Sequence, residues 1–173
     1  MKLSERIKSE TPTPDHDALV EWVDQHRAAI LKGLFPDLGD LDVSIEPRWE
    51  VPVMSGSYPI GVVDIVIPFF SLETYGADGT VIPIEYRRNR NVLNALAVEV
   101  KPTIDSVGAL LRQTNLYRTG SLAGFGKFTD YRIARFHWAV ASPDTKWRDR
   151  ITSQRMHFIK TPTPEDARLE TRS

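Results

Sequence analysis

The feature that most constrains this chain is a short apolar run at residues 96–100. It contains one charged residue and is followed directly by another. An apolar run of this length, followed by Pro102, is typical of a buried strand. Glu99 nevertheless lies inside the run, and Lys101 follows it directly. Because Glu and Lys are almost never fully buried without a partner, the end of this strand is predicted to be a functional site.

A helix is predicted directly after this strand, at residues 107–118. Asp105 or Ser106 can cap its N-terminus, since both residue types favour that position. Gln113 and Tyr117 are four positions apart and therefore lie on one face of the helix. A charged strand end followed by a polar helix face supports the prediction of a site. The alternative for this pair is a helix-packing tyrosine beside an incidental glutamine.

The composition indicates an ordinary globular protein. A length of 173 residues suits one domain with a substantial core, and 41% of the residues are hydrophobic and 26% charged. The absence of cysteine excludes disulfides, thiolate zinc sites and cysteine-ligated iron–sulfur clusters. No apolar stretch approaches the ~18 residues of a membrane span, and the first residues lack the apolar core of a signal peptide. The sequence therefore predicts a cytoplasmic protein with no membrane partner.

Charge is distributed unevenly along the chain, although the net charge is only -1. Residues 1–81 hold 6 Lys and Arg against 14 Asp and Glu, whereas residues 82–160 hold 14 against 6. A basic half can attract a polyanion such as nucleic acid, although salt limits the range of that attraction. An ordinary solvated surface explains the same charges equally well.

The first part of the chain predicts an arm, a helix and two strands. Residues 1–14 are polar and interrupted by proline, which predicts a flexible N-terminal arm. An apolar stripe predicts a helix at residues 15–35. Alternating apolar residues predict a strand at 43–53. A second run, at 60–70, is apolar except for Asp64 and predicts a central strand.

The remaining patterns complete an α/β chain. They predict a β-hairpin insertion at 71–91, a glycine-rich loop at 120–129, a strand at 131–141, a short basic helix after Asp144, a strand at 156–160 and a polar C-terminal tail at 161–173. Together with the strand and helix described first, the predicted elements between the arm and the tail form a single domain at residues 15–160.

Two carboxylates and one lysine can converge in this arrangement. Alternate residues of a strand share a face, so Glu99 and Lys101 lie about 7 Å apart on one side of their strand. If the strand that contains Asp64 is the neighbour, at about 4.8 Å, the two carboxylates can meet. Oxygen ligands with room for water suit Mg²⁺ or Mn²⁺, and the carbonyl of Val100 can add a ligand. The histidines show no spacing typical of metal ligands and are interpreted as structural, namely His16, His26, His137 and His157.

Three short motifs in this chain match a known family. The segments G-V-V-D at 61–64, E-V-K at 99–101 and Q-T-N-L-Y at 113–117 resemble the G-x-x-D, E-x-K and Q-x-x-x-Y motifs of the PD-(D/E)XK nuclease superfamily, in particular its RecB-like and Holliday-junction-resolvase-like branches. Each motif by itself is common by chance. All three occur here in the order of the family and on the predicted strands and helix that carry them there, which makes the resemblance more specific. The resemblance covers residues 15–160. It implies a restriction-endonuclease-like core, a mixed central β-sheet flanked by helices in the order α-β-β-β-α-β, with the β-hairpin as an extension.

The resemblance also implies a role for each matching residue. Asp64 and Glu99 would hold one or two ions of Mg²⁺ or Mn²⁺, together with the carbonyl of Val100. Lys101 would orient the attacking water and neutralise charge at the scissile phosphate. The residues expected to contact substrate are Gln113 and Tyr117 with the basic residues Arg112, Arg118 and Lys127.

The chain departs from the family pattern at three points. Val63 stands where a proline is usual in the motif. The 35 positions between the two acidic motifs are too many for a simple hairpin, and the insertion at 71–91 accounts for them. The family often has another acid on its first helix. Glu21 is the positional candidate, although it points away from the apolar stripe of that helix, and Glu50 is the next candidate.

The sequence therefore predicts a Mg²⁺-dependent nuclease that hydrolyses phosphodiester bonds, with DNA as the expected substrate. A non-catalytic nucleic-acid-binding or assembly domain with a nuclease fold is the alternative, and a structural interaction protein is a third interpretation. Two-fold symmetry would help a small nuclease to cut both strands, so a homodimer is a further hypothesis. The sequence contains no nucleotide-binding motif, so any motor would be a protein partner.

Overall fold

A computed structural model describes residues 13–38, 41–72, 91–125 and 135–171. Within these ranges the chain has an α/β fold, a mixed six-stranded sheet flanked by helices, which confirms the predicted class. Three predictions lie mainly or wholly outside the described residues, namely the arm at 1–14, the insertion at 71–91 and the substrate contact at Lys127.

The strands of the sheet are β1 (Arg48–Ser55), β2 (Tyr58–Leu72), β3 (Asn91–Val100), β4 (Ser121–Leu122), β5 (Arg135–Ser142) and β6 (His157–Lys160). Their order across the sheet is β4-β1-β2-β3-β5-β6. The pairs β4–β1, β1–β2 and β2–β3 are antiparallel, whereas β3–β5 and β5–β6 are parallel. The two central strands, β2 and β3, carry the predicted acidic residues.

The helices of the described residues are α1 (Pro14–Gln25), α2 (Arg27–Leu34), α3 (Val107–Arg118), α4 (Arg148–Thr152) and α5 (Pro164–Glu170), with 3₁₀ turns at Pro36–Leu38 and Thr145–Trp147. α3 has its predicted bounds, and Ser106 caps it by accepting a hydrogen bond from the backbone N–H of Ala109. The single helix predicted at residues 15–35 is two helices that meet at His26. The ring of His26 lies 2.9 Å from the carbonyl of Trp22, an interaction that ends the helical backbone pattern there.

Different helices cover the two faces of the sheet. α1 packs on one face, where Leu19 and Val23 are fully buried against β2 and β3. α3 lies on the opposite face, where Tyr117 packs with Val63 and Ala97. Because successive residues of a strand alternate between faces, the position of a residue along β2 or β3 decides which helix it contacts. We call these two faces the α1 face and the α3 face.

Strand boundaries differ from the sequence pattern by a few residues. β1 begins at Arg48 rather than at residue 43, and Asp42 forms an isolated bridge with Phe70 of β2. β2 and β3 are longer than predicted because they pair over eight consecutive residues on each strand. Within the described part of the chain, no helix has both the length and the apolar character needed to cross a membrane.

The C-terminal residues also differ from the sequence pattern. A polar tail is predicted at 161–173, but Pro164–Glu170 form α5. Thr163 caps this helix by accepting a hydrogen bond from the backbone N–H of Asp166. Ala167 is fully buried in the core on the α1 face. The short polar helix is ordered by packing on α1, a tertiary contact that its own sequence does not reveal.

Candidate functional site

The end of the β2–β3 pairing places the two predicted carboxylates side by side. Backbone pairing between these antiparallel strands continues to Ile65 and Val98. The next step of the same register would set Asp64 opposite Glu99. At this point the backbone N–H of Val100 donates instead to Oδ2 of Asp64, at 2.6 Å. The carboxylate of Asp64 therefore occupies the gap where the two strands separate.

The direction of the side chains along β2 changes at Asp64. Val63 packs with Tyr117 on the α3 face, whereas Ile65 packs on the α1 face. Residues two apart on a regular strand share a face, so the regular alternation of side chains is interrupted at Asp64. Across from it in the β1–β2 register, Glu50 has a left-handed φ of 51°, which is uncommon for a residue other than glycine. This irregularity places Asp64 between the two faces of the sheet.

His16 is the side chain of α1 that reaches Asp64. Its Nε2 atom lies 3.1 Å from Oδ1 of Asp64, and its Nδ1 atom lies 3.4 Å from Oδ1 of Asp17. The hydrogen bond with Asp64 raises the pKa of His16 above its ordinary value, against the opposite effect of burial. The carboxylate therefore favours the charged form of the imidazole.

This contact places His16, which the sequence analysis interprets as a structural histidine, beside a predicted site residue. His16 precedes Leu19, Val20 and Val23 by three, four and seven positions, which places it on the buried stripe of α1. A polar, titratable side chain on that stripe is the sequence signal that identifies it, because the stripe faces the sheet.

The two candidates for a further acid lie on the surface. Glu21 is exposed and accepts a hydrogen bond from Nε2 of Gln25 on the same helix. Glu50 is also exposed. Among the described residues, neither forms a hydrogen bond or ion pair with Asp64 or Glu99. The first helix therefore contributes an imidazole to this site rather than the carboxylate of Glu21.

Glu99 is the most deeply buried charged residue of the site, with 3% of its surface exposed. Its Oε1 atom accepts a hydrogen bond from Nε2 of Gln113 at 2.9 Å and lies 3.2 Å from Nζ of Lys101. Its Oε2 atom is also buried but has no hydrogen-bond partner among the described residues. One oxygen of this carboxyl group thus has two polar contacts, and the other has no partner within the described ranges.

Burial changes the ionisation of Glu99. Desolvation raises the pKa of its carboxyl to about 8, and the negative charge of Asp64 adds to the increase. The positive charge of Lys101 opposes both effects without overcoming them. The neutral form of this carboxyl is therefore favoured above the pH at which an ordinary glutamic acid ionises. Strongly perturbed carboxyl groups of this kind are concentrated at functional sites.

Gln113 and Tyr117 belong to a hydrogen-bonded chain on the α3 face that ends at Glu99. Nε2 of Gln113 donates to the hydroxyl oxygen of Tyr117 at 2.8 Å as well as to Glu99. The backbone of Val62 also bonds to this hydroxyl, and burial raises the pKa of Tyr117. Tyr117 is 5% exposed, so its hydroxyl serves to hold Gln113 rather than to contact a large substrate. Of the two residues of the Q-x-x-x-Y motif, Gln113 is therefore the one that contacts Glu99.

Two of the predicted basic contacts, Arg112 and Arg118, lie on α3. Arg112 is exposed on α3. Arg118 is exposed as well, but its Nη1 atom donates to the carbonyl of Gln154 at 2.9 Å, which ties α3 to the segment after α4. Arg112 is therefore the better candidate for contact with a ligand, and Arg118 has a structural contact.

The metal-ligand set was predicted to comprise Asp64, Glu99 and the carbonyl of Val100. The structure brings the two carboxylates close enough for the charge of Asp64 to raise the pKa of Glu99. No group of three or more His, Asp or Glu side chains in the described ranges is arranged to hold a metal ion by itself. Water or substrate would therefore supply several ligands, as is common for Mg²⁺.

Comparisons of the chain with protein-family models, with curated protein sequences and with solved structures found no match.

Proposed function

We propose that this protein is a Mg²⁺-dependent or Mn²⁺-dependent nuclease that hydrolyses phosphodiester bonds of DNA, with a restriction-endonuclease-like core. The observation that carries the proposal is the buried carboxyl of Glu99. One of its oxygens has no hydrogen-bond partner in the described part of the chain, while Lys101 and Gln113 hold the other. An unpartnered buried oxygen is costly. A cation bound to this oxygen would remove that cost.

The residues present fit a hard divalent cation. Oε2 of Glu99 has no competing hydrogen bond among the described residues. Each oxygen of Asp64 has one identified polar contact, to Val100 or His16, and a carboxylate oxygen can accept more than one. Asp64, Glu99 and the carbonyl of Val100 would hold the ion, with water completing the octahedral shell that Mg²⁺ prefers.

Lys101 has the position needed for the chemistry. A divalent cation at this site would lower the pKa of a water molecule and stabilise negative charge on the phosphate. The ammonium of Lys101 is held 3.2 Å from Glu99 and is mostly buried, with 16% of its side chain exposed. Such a fixed positive charge would orient the attacking water and offset charge at the scissile phosphate. Gln113 would keep the carboxyl of Glu99 oriented toward the ion.

DNA is the proposed substrate because α3 carries two exposed basic residues, Arg112 and Arg118. Exposed Arg112 directly precedes Gln113, the residue that contacts Glu99. In the basic segment at residues 82–160, Lys and Arg exceed Asp and Glu by 14 to 6. Phosphate contacts from such residues provide affinity without sequence preference. A homodimer and a motor partner remain part of the hypothesis.

A second candidate function is a nucleic-acid-binding domain that does not cleave. The surface position of Glu21 supports it, because the helix acid frequent in the resembling family is then replaced by His16. Binding without cleavage would leave the basic surface in use and the acidic site without a catalytic role.

A cleavage assay tests the proposal. Supercoiled plasmid and a labelled branched DNA are incubated with the protein and Mg²⁺ or Mn²⁺, beside Lys101→Ala and the matched control Lys32→Ala. Lys32 is an exposed lysine of α2. We expect cleavage by the wild type and the control but not by the folded Lys101→Ala protein. DNA binding without cleavage in every sample would favour the second candidate function instead.

A further inference from the structure

The C-terminal helix is attached to α1 through two different polar contacts. Nη1 of Arg168 lies 2.8 Å from Oδ1 of Asp15 and 3.4 Å from the carbonyl of Pro14, at the start of α1. Oε2 of Glu170 accepts a hydrogen bond from Nε1 of Trp22 at 2.6 Å, further along the same helix. With Ala167 fully buried on the same face, α5 is anchored at both the first and the later turns of α1.

The first of these contacts lies next to the candidate site. Pro14 and Asp15 immediately precede His16, whose imidazole is 3.1 Å from Asp64. These residues belong to the first turn of α1, and first turns lack part of the backbone hydrogen bonding of a helix and open easily. An arginine that binds the first turn from outside therefore restricts the backbone that carries His16.

We infer that the C-terminal helix is a positioning element of the site, and that Arg168 acts as a positioning residue that holds His16 against Asp64. The part of this inference that concerns metal binding rests on the proposed function, whereas the part that concerns the contact between His16 and Asp64 does not. Arg168 touches neither Asp64 nor Glu99 in the identified contacts, so its effect passes through α1.

The expected effect is local. The ion pair is partly exposed, with 36% of the Arg168 side chain and 56% of the Asp15 side chain accessible. Exposed ion pairs contribute little to overall stability, so loss of this one should alter the start of α1 rather than the unfolding transition. This separates a positioning role from a purely structural one.

The primary test is nuclear magnetic resonance of the His16 ring in the metal-free protein at one fixed pH. The variants are Arg168→Gln, Arg168→Lys, Asp15→Asn and the matched control Glu170→Gln, which removes the charge of the residue that forms the other anchor of α5. Asp64→Asn supplies the ring signals of a His16 that has lost its charged partner. We expect Arg168→Gln and Asp15→Asn to move the His16 signals toward those of Asp64→Asn, Arg168→Lys to restore them in part, and Glu170→Gln to leave them unchanged.

A second measurement is Mn²⁺ affinity, which we expect to fall about tenfold in Arg168→Gln, the size of effect typical when the support of a metal site is removed. Wild-type His16 signals in both Arg168→Gln and Asp15→Asn would overturn the inference, and so would an equal shift in Glu170→Gln. If wild type binds no Mn²⁺ but the His16 signals move as expected, the positioning role stands and the proposed metal site fails. Asp15→Asn keeps the test decisive if Arg168→Gln does not fold.

Discussion

The ring of Tyr117 lies directly over Gly61, in the space that a Cβ atom at position 61 would need. The glycine of one motif and the tyrosine of another are thus a single packing unit between β2 and α3. From this unit the Tyr117 hydroxyl holds Gln113, and Gln113 holds Glu99. The spacing of the two motifs therefore has a steric reason as well as a chemical one.

Replacement of Gly61 by alanine should destabilise the protein by about 1–3 kcal/mol, because the added methyl group displaces the buried ring of Tyr117. Urea denaturation measures the change. The control is Gly33→Ala in α2, where an added Cβ meets nothing within 4 Å. That change should stabilise the helix by up to about 1 kcal/mol. Equal effects of the two substitutions would show that Tyr117 does not pack on position 61.

Glu99→Gln should stabilise the metal-free protein at neutral pH. In the folded protein the pKa of Glu99 is raised to about 8 from 4.5. The stability that this carboxyl contributes is therefore fully present below pH 4.5 and is lost as pH rises toward 8. Glutamine remains uncharged at every pH. The free energy of unfolding of the variant should therefore exceed that of the wild type by an amount that grows over this range and is more than about 1 kcal/mol at pH 7. Urea denaturation in EDTA tests this, with exposed Glu21→Gln as the control. A difference that does not depend on pH would contradict the buried state of Glu99.

Protonation of His137 should lower the stability of the folded protein as the pH falls. Burial lowers its pKa to about 4 from 6.5, and the positive charges of His157 and Arg135 contribute. The unfolded chain therefore binds the proton first, and this contribution to stability is full above pH 6.5 and lost as pH falls through 4. Glu99 makes the free energy of unfolding change with pH in the opposite direction. The effect of His137 is therefore measured by comparing a His137 variant with the wild type at each pH. His137→Leu should lose less stability than the wild type between pH 6.5 and 4, as measured by thermal unfolding, whereas His26→Gln should lose as much.

Arg112→Gln should weaken binding to DNA of any sequence. Loss of one phosphate contact lowers the steepness of the plot of log affinity against log salt by about 1. Fluorescence anisotropy with a labelled duplex, in EDTA to prevent cleavage, measures both quantities. The control is Lys32→Gln, which removes an exposed positive charge from α2. If both variants match the wild type at every salt concentration, DNA does not contact this side of α3.

The parts of the fold that the sequence predicts are those that depend on local chemistry. α3 has its predicted bounds because Ser106 is a good cap and Pro102 ends the preceding strand. β2 and β3 were recognised as buried strands from their apolar runs, with a single acid in each. Their pairing sets these two acids side by side, which the strand pattern predicted only on the assumption that the strands were neighbours.

The parts that the sequence does not predict depend on tertiary contacts. α5 is polar and short, and it is helical because it packs on α1. The contact between His16 and Asp64 depends on the interrupted side-chain alternation of β2 at Asp64 and on the packing of α1 against the sheet. The break at His26 depends on a contact of its ring with the carbonyl of Trp22. The spacing of His16 places it on the buried stripe of α1, but no periodic pattern identifies Asp64 as its partner or indicates the packing of α5 and the ring contact of His26.

Equilibrium binding of Mn²⁺ tests the central claim most directly. Electron paramagnetic resonance counts free Mn²⁺ in solutions of wild type, Asp64→Asn, Glu99→Gln and the control Glu21→Gln at pH 7.5. The account predicts saturable binding of one or two ions by the wild type and by Glu21→Gln, and at least about a tenfold loss of affinity in the other two variants. Absence of binding by the wild type, or unchanged binding by Glu99→Gln, would contradict a metal site at the end of β3.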